Sequence, residues 1–237
     1  MPLTLTIEKN VPLQPYNSLS LPAQAEFFCA VGSLEDLGEA LNFAKKGQLN
    51  VTPLGGGSNV VLSGDIAGLV IQLNLLGMSY AIEGAAVQVT FAAGENWHRT
   101  VITTLQKGWF GMENLSLIPG NMGAAPIQNI GAYGVEISDV LDSVQAYDLE
   151  TSEVCNFSNQ ECKLTYRDSR FKSQDAGRYL ITRIRLRLSR KYEPILAYAG
   201  LGEQLERMGI DKPSAKQVSD AVVQIRKSKL PDPKEIG

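Results

Sequence analysis

Three adjacent glycines, Gly55, Gly56 and Gly57, run directly into Ser58 and Asn59. Without Cβ atoms, such a turn can aim successive backbone N–H groups at one anion and form a phosphate nest. Ser58 and Asn59 would add side-chain donors. The spacing is not GxGxxG ahead of a helix, and no Lys-Ser or Lys-Thr pair follows. Neither the dinucleotide fingerprint of the doubly wound fold nor a P-loop is therefore present. Taken alone, the triplet fits a tight turn as well as a phosphate cradle.

The stretch LIPGNMGAAPIQNIGAYG, Leu117–Gly134, spreads Gly120, Gly123, Gly131 and Gly134 among Pro119, Pro126, Gln128, Asn129 and Tyr133. Glycines let backbone approach a flat ligand closely, and Ala124 and Ala125 keep the surface low. Gln128 and Asn129 could offer amides to the edge of a heterocycle. A disordered linker would not carry Ile118, Ile127, Ile130 and Tyr133. The competing reading is a tightly packed structural loop.

Three further groups could do chemistry. In GENWH (94–98), Glu95 and Asn96 suit a helix start, Trp97 suits a core, and His98, the sole histidine, suits a surface or hydrogen-bonded position. YRDSRFK (166–172) brings Tyr166 and Arg167 together, and a guanidinium offers a planar fork to a carboxylate or to a carbonyl gaining negative charge. Its plainer reading is a charged turn in which Asp168 pairs with Arg170 or Lys172. Arg226 and Lys229 lie three apart on one helix face, either to grip a phosphate or to be solvated.

The elements that must position these groups are mixed α and β. AEFFCAV, LNVTPL, GLVIQL, VQVTFAAG, DVLDSVQAYD and YLITRIRLRLS read as strands, the last most clearly. SLEDLGEALNFAKKG reads as a helix capped by Ser33 and Asp36, with Leu34, Leu37, Leu41 and Ala44 inward and its stop at Gly47. ENWHRTVITTLQKG reads as a second helix, with Val101, Ile102 and Leu105 inward. A third runs from Ser214, paired with Gln217 in a capping box, to about Lys229, burying Val218, Ala221, Val222 and Ile225 before Pro231 and Pro233 end it. The domain boundary is expected near residues 72–78.

The 237 residues, 44% of them hydrophobic and 20% charged, are enough for a sizeable core in one or two domains. A net charge of -3 gives no global field for nucleic acid. Arg183, Arg185 and Arg187 alternate with apolar residues and read as the solvated face of a strand. Cys29, Cys155 and Cys162 lack metal or disulfide spacing, so they read as reduced thiols, and no metal is expected. With a single histidine, only His98 could serve a histidine-dependent hydrolase. No apolar run reaches membrane-spanning length, and MPLTLTIEKN lacks the order of a signal peptide. Together these features point to the cytoplasm and to no membrane partner.

Taken together, the runs LGGGSNVV, AAGENWH, MENLSLIPG, GAAPIQNIGAYG, YRDSRFK and RKSKLPDP resemble the bacterial UDP-N-acetylenolpyruvoylglucosamine reductases, also called UDP-N-acetylmuramate dehydrogenases. The lead-in QPYNSLS is similar to the family's start. The resemblance implies an α+β, two-domain FAD-binding fold of the vanillyl-alcohol-oxidase-like type. It implies FAD-binding subdomains over 1–74 and 75–237, the second incomplete. It further implies a flavoprotein oxidoreductase of peptidoglycan precursor synthesis in which NADPH reduces FAD. Reduced flavin then passes hydride to the enolpyruvyl double bond of a UDP-sugar. The implied cofactor-binding residues are Gly55, Gly56, Gly57, Ser58, Asn59, Pro119, Gly120, Gly123, Ala124, Gln128, Asn129, Gly131, Ala132, Tyr133 and Tyr166. The implied catalytic residue is Arg167, which would stabilise enolate-like charge. Tyr198, Arg226 and Lys229 would meet the substrate's phosphates.

The chain departs from the family pattern at Gly237, one residue before the family's serine-bearing segment. The resemblance therefore implies a fragment without the substrate-binding domain, with weakened FAD retention and little or no reductase activity. A flavin-binding module without catalysis is the alternative. The full-length form is expected to be a monomer.

Overall fold

The computed structural model describes residues 5–230, and these fall into two compact units, one ending at Leu76 and the other starting at Gly77. The helix-breaking role expected of Pro231 and Pro233 lies outside the described residues.

The first unit contains β1 (Glu8–Pro12), β2 (Gln24–Val31), α1 (Leu34–Gly47), β3 (Val51–Leu54) and β4 (Ile66–Leu73). They form a four-stranded sheet in the order β1-β2-β4-β3. β4 runs parallel to both β2 and β3, and β1 is antiparallel to β2. A parallel centre needs apolar residues on both faces, and β4 supplies Leu69, Val70 and Ile71 fully buried in succession. The capping box on α1 forms: Ser33 Oγ accepts from the Asp36 N–H, and the Asp36 carboxylate accepts from the Ser33 N–H. The buried face of α1 is Leu37, Ala40 and Ala44, while Leu34, expected inward, is exposed in the first turn. The residue that turns left-handed after α1 is Gln48, at φ 51°, not Gly47. Its N–H reaches back to the Ala44 and Lys45 carbonyls, which the helix would otherwise leave unpaired.

After β3 comes the glycine triplet. Gly57 has φ 63°, and a Cβ there would lie 1.9 Å from the Tyr16 carbonyl oxygen. The segment it presses on is itself fixed. Asn17, buried, donates through Nδ2 to the carbonyls of Leu13 (2.9 Å) and Leu21 (3.1 Å) and accepts from the Leu21 N–H at 2.9 Å. The Ser18 N–H donates to the Gly57 carbonyl at 3.0 Å.

The second unit contains β5 (Met78–Glu83), β6 (Ala86–Ala92), α2 (Trp97–Gln106), a two-residue-strand hairpin of β7 (Gly131–Ala132) and β8 (Val135–Glu136), β9 (Leu141–Asp148), β10 (Val154–Ser158), β11 (Tyr179–Ser189), α3 (Ala199–Arg207) and α4 (Ala215–Lys229). Its main sheet is antiparallel, in the order β10-β9-β11-β6-β5. β11 alternates as expected, burying Ile184, Leu186 and Leu188 and exposing Arg183, Arg185 and Arg187. Arg185 meets Asp142 at 2.6 Å and Arg187 meets Glu83 at 3.4 Å. Asn96 caps α2 by accepting from the Arg99 N–H. The inward face of α2 is Trp97, Thr100, Val101 and Thr104, with the expected Ile102 and Leu105 only half-buried. The threonines are accommodated because each hydroxyl donates to a helix carbonyl, Asn96 for Thr100 and Val101 for Thr104. The capping box at Ser214 and Gln217 forms, and Val218, Ala221, Val222 and Ile225 of α4 pack on Leu201 and Leu205 of α3.

Cys29 and Cys162 are buried, and burial pushes their thiols up to about 11 and about 12. Among the described residues, no helix is long and apolar enough to cross a membrane, and no group of three or more His, Cys, Asp or Glu could hold a metal ion.

Gly57→Ala is expected to destabilise the first unit by at least about 2 kcal/mol, because both the positive φ and the Tyr16 carbonyl oppose the added methyl. Urea denaturation followed by far-ultraviolet circular dichroism would show the loss, with the fluorescence of the second-unit tryptophans Trp97 and Trp109 as the reference for the other unit. In the second unit, Asp148 is buried and accepts from Arg178 Nη2 at 2.7 Å, and the guanidinium holds its carboxyl down to about 2. A depressed carboxyl stabilises the fold above its unfolded value of 3.8 and loses that contribution as pH falls toward about 2. Asp148→Asn is expected to flatten the pH dependence of stability across that window, read by thermal melts.

Candidate functional site

In the first unit, Gly55 to Asn59 emerge from β3 at the C-terminal edge of the parallel strands. The N–H groups of these five residues have no hydrogen-bond acceptor among the described residues. Gly57 is spent on close packing against Tyr16, so the local fold needs it whatever else the turn does. Gly56 and Asn59 are exposed. A row of donors without an acceptor among the described residues, with no Cβ over two of the outer positions, fits the charge of a pyrophosphate.

In the second unit, Leu117–Gly134 is a wall held from beneath. The Trp97 N–H donates to the Gly120 carbonyl at 3.0 Å, the Met122 N–H to Glu95 at 2.8 Å and the Gly123 N–H to Ala93 at 2.9 Å. Gly123 is obligatory here, since a Cβ would lie 2.6 Å from the Ala93 Cβ. Met122–Gln128 then coils as a 3-10 turn that buries Met122, Ala125 and Pro126 and leaves Ala124 exposed. Tyr133 and Gly134 both take positive φ, 51° and 82°, which is the backbone of a type I′ hairpin between β7 and β8.

The wall is joined to the Arg167 turn by three hydrogen bonds. Thr165 and Asp168 bond each other's backbones and place Tyr166 and Arg167 at the tip. Asn129 Nδ2 donates to the Thr165 carbonyl at 3.0 Å, Arg167 Nη2 to the Gly131 carbonyl at 2.9 Å and Ser169 Oγ to the Ile127 carbonyl at 2.7 Å. Arg167 sits at φ 55° with its guanidinium fixed on the Gly131 carbonyl, and Tyr166 beside it is 82% exposed. Asp168 pairs with neither Arg170 nor Lys172. Its carboxylate accepts from Ser173 Oγ at 2.6 Å, which lowers its pKa, while Arg170 meets Asp175 at 2.7 Å.

Two expected ligand contacts are occupied from inside. The Asn129 amide, buried, gives both N–H groups to Glu136 Oε2 (2.7 Å) and Thr165, and its oxygen accepts from the Ser138 N–H at 3.2 Å. It therefore shapes the wall and has no donor left for a heterocycle; Gln128, half-buried, makes no side-chain hydrogen bond among the described residues. Arg226 Nε donates to the Leu117 carbonyl at 3.1 Å, and its positive charge bears on the Tyr133 hydroxyl. Tyr133 stands edge-on to Tyr198, with ring centroids 5.2 Å apart. Burial raises the Tyr133 hydroxyl pKa, against the opposing charge of Arg226. Lys229 is exposed at the end of α4.

Three residues that matter here, Asn114, Ser116 and Ser219, were not singled out from the sequence, whereas Tyr198 and the hydrogen-bonded His98 were. Asn114, 1% exposed, donates through Nδ2 to the carbonyls of Tyr133 and Ile195, both at 2.8 Å. Ser116 and Ser219, both buried, share a hydrogen bond at 2.7 Å. Tyr198 is the N-cap of α3, a helix whose signal was Leu201, Leu205 and Met208 at helical spacing. His98 Nδ1 accepts from the Leu117 N–H at 2.9 Å, and burial, then the charges of Arg226 and Lys227, hold its pKa below 6.5.

A family described as an FAD binding domain matches residues 25–158. The UDP-N-acetylenolpyruvoylglucosamine reductase of Chromobacterium violaceum is 46% identical over 237 residues, covering 99% of this chain and 70% of that protein. The enzyme of the same name from Cupriavidus pinatubonensis is 45% identical over 226 residues, covering 95% and 67%. Among solved structures, UDP-N-acetylenolpyruvylglucosamine reductase from Thermus caldophilus superposes with a TM-score of 0.69 at 24% identity, covering 96% of this chain and 71% of that one. A solvent-stable cholesterol oxidase superposes at 0.59 with 19% identity, covering 78% and 38%. The fold is thus the FAD-binding fold shared by these oxidoreductases, as the sequence resemblance implied.

Asn129→Ala is expected to cost about 2–3 kcal/mol, because it orphans the Ser138 N–H and removes the amide's bonds to the Glu136 carboxylate and the Thr165 carbonyl. Chemical denaturation measures the loss. Hydrogen exchange at Ser138 should rise with it.

Proposed function

The chain belongs to the UDP-N-acetylenolpyruvoylglucosamine reductase family, a family of flavoprotein oxidoreductases of peptidoglycan precursor synthesis, and we propose that it carries the FAD-binding part of such a reductase. In this reading the protein works in the cytoplasm and uses NADPH to reduce UDP-N-acetylenolpyruvoylglucosamine to UDP-N-acetylmuramate. The first unit is the first FAD-binding subdomain and the second unit the next.

FAD, when bound, supplies a two-electron carrier that accepts hydride from NADPH and passes it to the substrate's double bond. The chain's own residues have separable tasks. The N–H groups of Gly55, Gly56, Gly57, Ser58 and Asn59 bind the cofactor's pyrophosphate; their lack of acceptors among the described residues supports this task. Pro119, Gly120, Gly123, Ala124, Gln128, Gly131, Ala132 and Tyr133 border the flavin, with Asn129 fixing their backbone from behind. Tyr166 adds an exposed ring at the tip of the Arg167 turn.

Arg167 stabilises negative charge on the substrate carboxylate and its conjugated carbon as hydride arrives. A guanidinium set in advance does this without reorganising solvent. The observation that carries the proposal is the fastening of the Arg167 turn to Ile127–Gly131 by three hydrogen bonds. It makes the charge-stabilising side chain and the flavin-facing wall one rigid piece. Tyr198 and Lys229 take the substrate's phosphates. Arg226 adds positive charge there, although its Nε is committed to Leu117.

Arg167→Lys in the full-length reductase is expected to lower kcat about 100- to 1000-fold, as for loss of one preorganised charge-stabilising donor, with flavin content near the parent's. Stopped-flow separation of flavin reduction by NADPH from reoxidation by substrate should place the loss in the second half-reaction. Turnover within about threefold of the parent would remove Arg167 from the chemistry. A flavin-binding module without catalysis is distinguished by a yellow protein that binds FAD yet consumes no NADPH with the UDP-sugar.

A further inference from the structure

Leu117 opens the wall in a conformation that leucine avoids, with φ 57°. Its peptide groups are gripped on both sides by side chains from different helices. His98 of α2 accepts from the Leu117 N–H at 2.9 Å, and Arg226 of α4 donates to the Leu117 carbonyl at 3.1 Å. The same guanidinium lies near enough to the Tyr133 hydroxyl, at the other end of the wall, for its charge to act there. Asn114 holds the Tyr133 carbonyl at 2.8 Å. The Leu117 end of the segment is thereby held from two helices, by His98 and Arg226, and the Tyr133 end is held by Asn114.

We propose that His98 and Arg226 are positioning residues that clamp the Leu117 peptide and so set the shape of the wall, and that a proton on His98 opens the clamp. That the wall faces a flavin rests on the reading above; the clamp does not. The argument is one of donors and acceptors. A backbone N–H can only donate, so Nδ1 must carry a lone pair and the ring must be neutral, with its proton on Nε2. Protonation turns Nδ1 into a donor facing a donor. The Leu117 N–H then loses its partner, and only the Arg226 bond to the Leu117 carbonyl still opposes relaxation of the left-handed backbone toward an ordinary one.

The charged groups that bear on the imidazole are Arg226 and Lys227, both on α4. Arg99 follows it on its own helix, and the packed segment Ser116–Leu117 brings only neutral groups. Burial and these two cations oppose protonation, while the carboxylates on the surrounding segments, Glu95 and Glu113, accept from the Gly77 and Gly111 N–H groups. The folded state takes up the proton less readily than the unfolded chain. The clamp's contribution is complete above 6.5 and is lost as pH falls below that value.

The test uses the chain itself with three variants, circular dichroism confirming that each is folded. Hydrogen exchange at the Leu117 amide reads the clamp in flavin-free protein, and flavin fluorescence titration reads FAD affinity, each at about pH 8 and about pH 5. In the parent, Leu117 exchange corrected for intrinsic rate should accelerate, and FAD affinity should fall about fivefold to tenfold, between the two pH values. His98→Leu should show the fast exchange and weak binding at both. His98→Asn, whose Oδ1 can take the place of Nδ1 and does not titrate, should restore slow exchange and remove the acid response. Arg226→Gln should move the acid midpoint upward, because one of the two opposing cations is gone.

Parental Leu117 exchange in His98→Leu, or a parental acid response in His98→Asn, would overturn the proposal. If the exchange pattern holds while no form binds FAD, the clamp stands and the cofactor reading falls.

Discussion

Four non-glycine residues around the candidate site, Leu117, Asn129, Tyr133 and Arg167, are held at positive φ. Each left-handed residue costs on the order of 1–2 kcal/mol relative to an ordinary conformation. Such a backbone persists only where its surroundings over-determine it, and the second unit is arranged to do so. Leu117 has His98 and Arg226, Tyr133 has Asn114 and a type I′ hairpin, Asn129 has three hydrogen bonds through its own amide, and Arg167 has the paired backbones of Thr165 and Asp168. The five-stranded sheet and helices α2 and α4 supply the rigid platform from which those partners reach.

This constraint also accounts for polar groups placed inside an otherwise apolar unit. Asn114, Ser116, Asn129 and Ser219 are each at most 1% exposed, and every one has partners. Removing one would leave a buried donor or acceptor unpaired, which costs more than the hydrogen bond itself gains. The wall is thus shaped by side chains that never reach its outer surface. Residues such as Ala124 can face outward with little bulk because the shaping is done from behind.

Much of the scaffold was legible from local pattern. Ser33 with Asp36, Asn96, and Ser214 with Gln217 each announced a helix because capping is decided by neighbours a few residues away. β11 announced itself by strict alternation. α3 was not legible: Tyr198 makes no side-chain cap, so only the leucine spacing marks the helix. β5 was missed because all six of its residues are exposed, including Met78, Tyr80 and Ile82, which reverses the usual sense of an apolar alternation. At the site, the segments stood out by residue type, while the inward commitments of Asn129 and Arg226 did not. Those depend on partners 36 and 109 positions away, Thr165 and Leu117, and no local period records such distances.

Those long spans have a consequence for how the molecule is made. Leu117 and Ser116 find their partners Arg226 and Ser219 across separations of 109 and 103 residues, and Asn114 finds the Ile195 carbonyl across 81. At a synthesis rate of about 5–20 residues per second, the middle of the chain waits on the order of 5–20 s for the helix that completes it. During that interval the sheet's earlier strands can pair, but Leu117 has no reason to stay left-handed. The segment that gives the protein its most recognisable sequence is therefore among the last parts to acquire its shape, and its completion reports that α4 has docked.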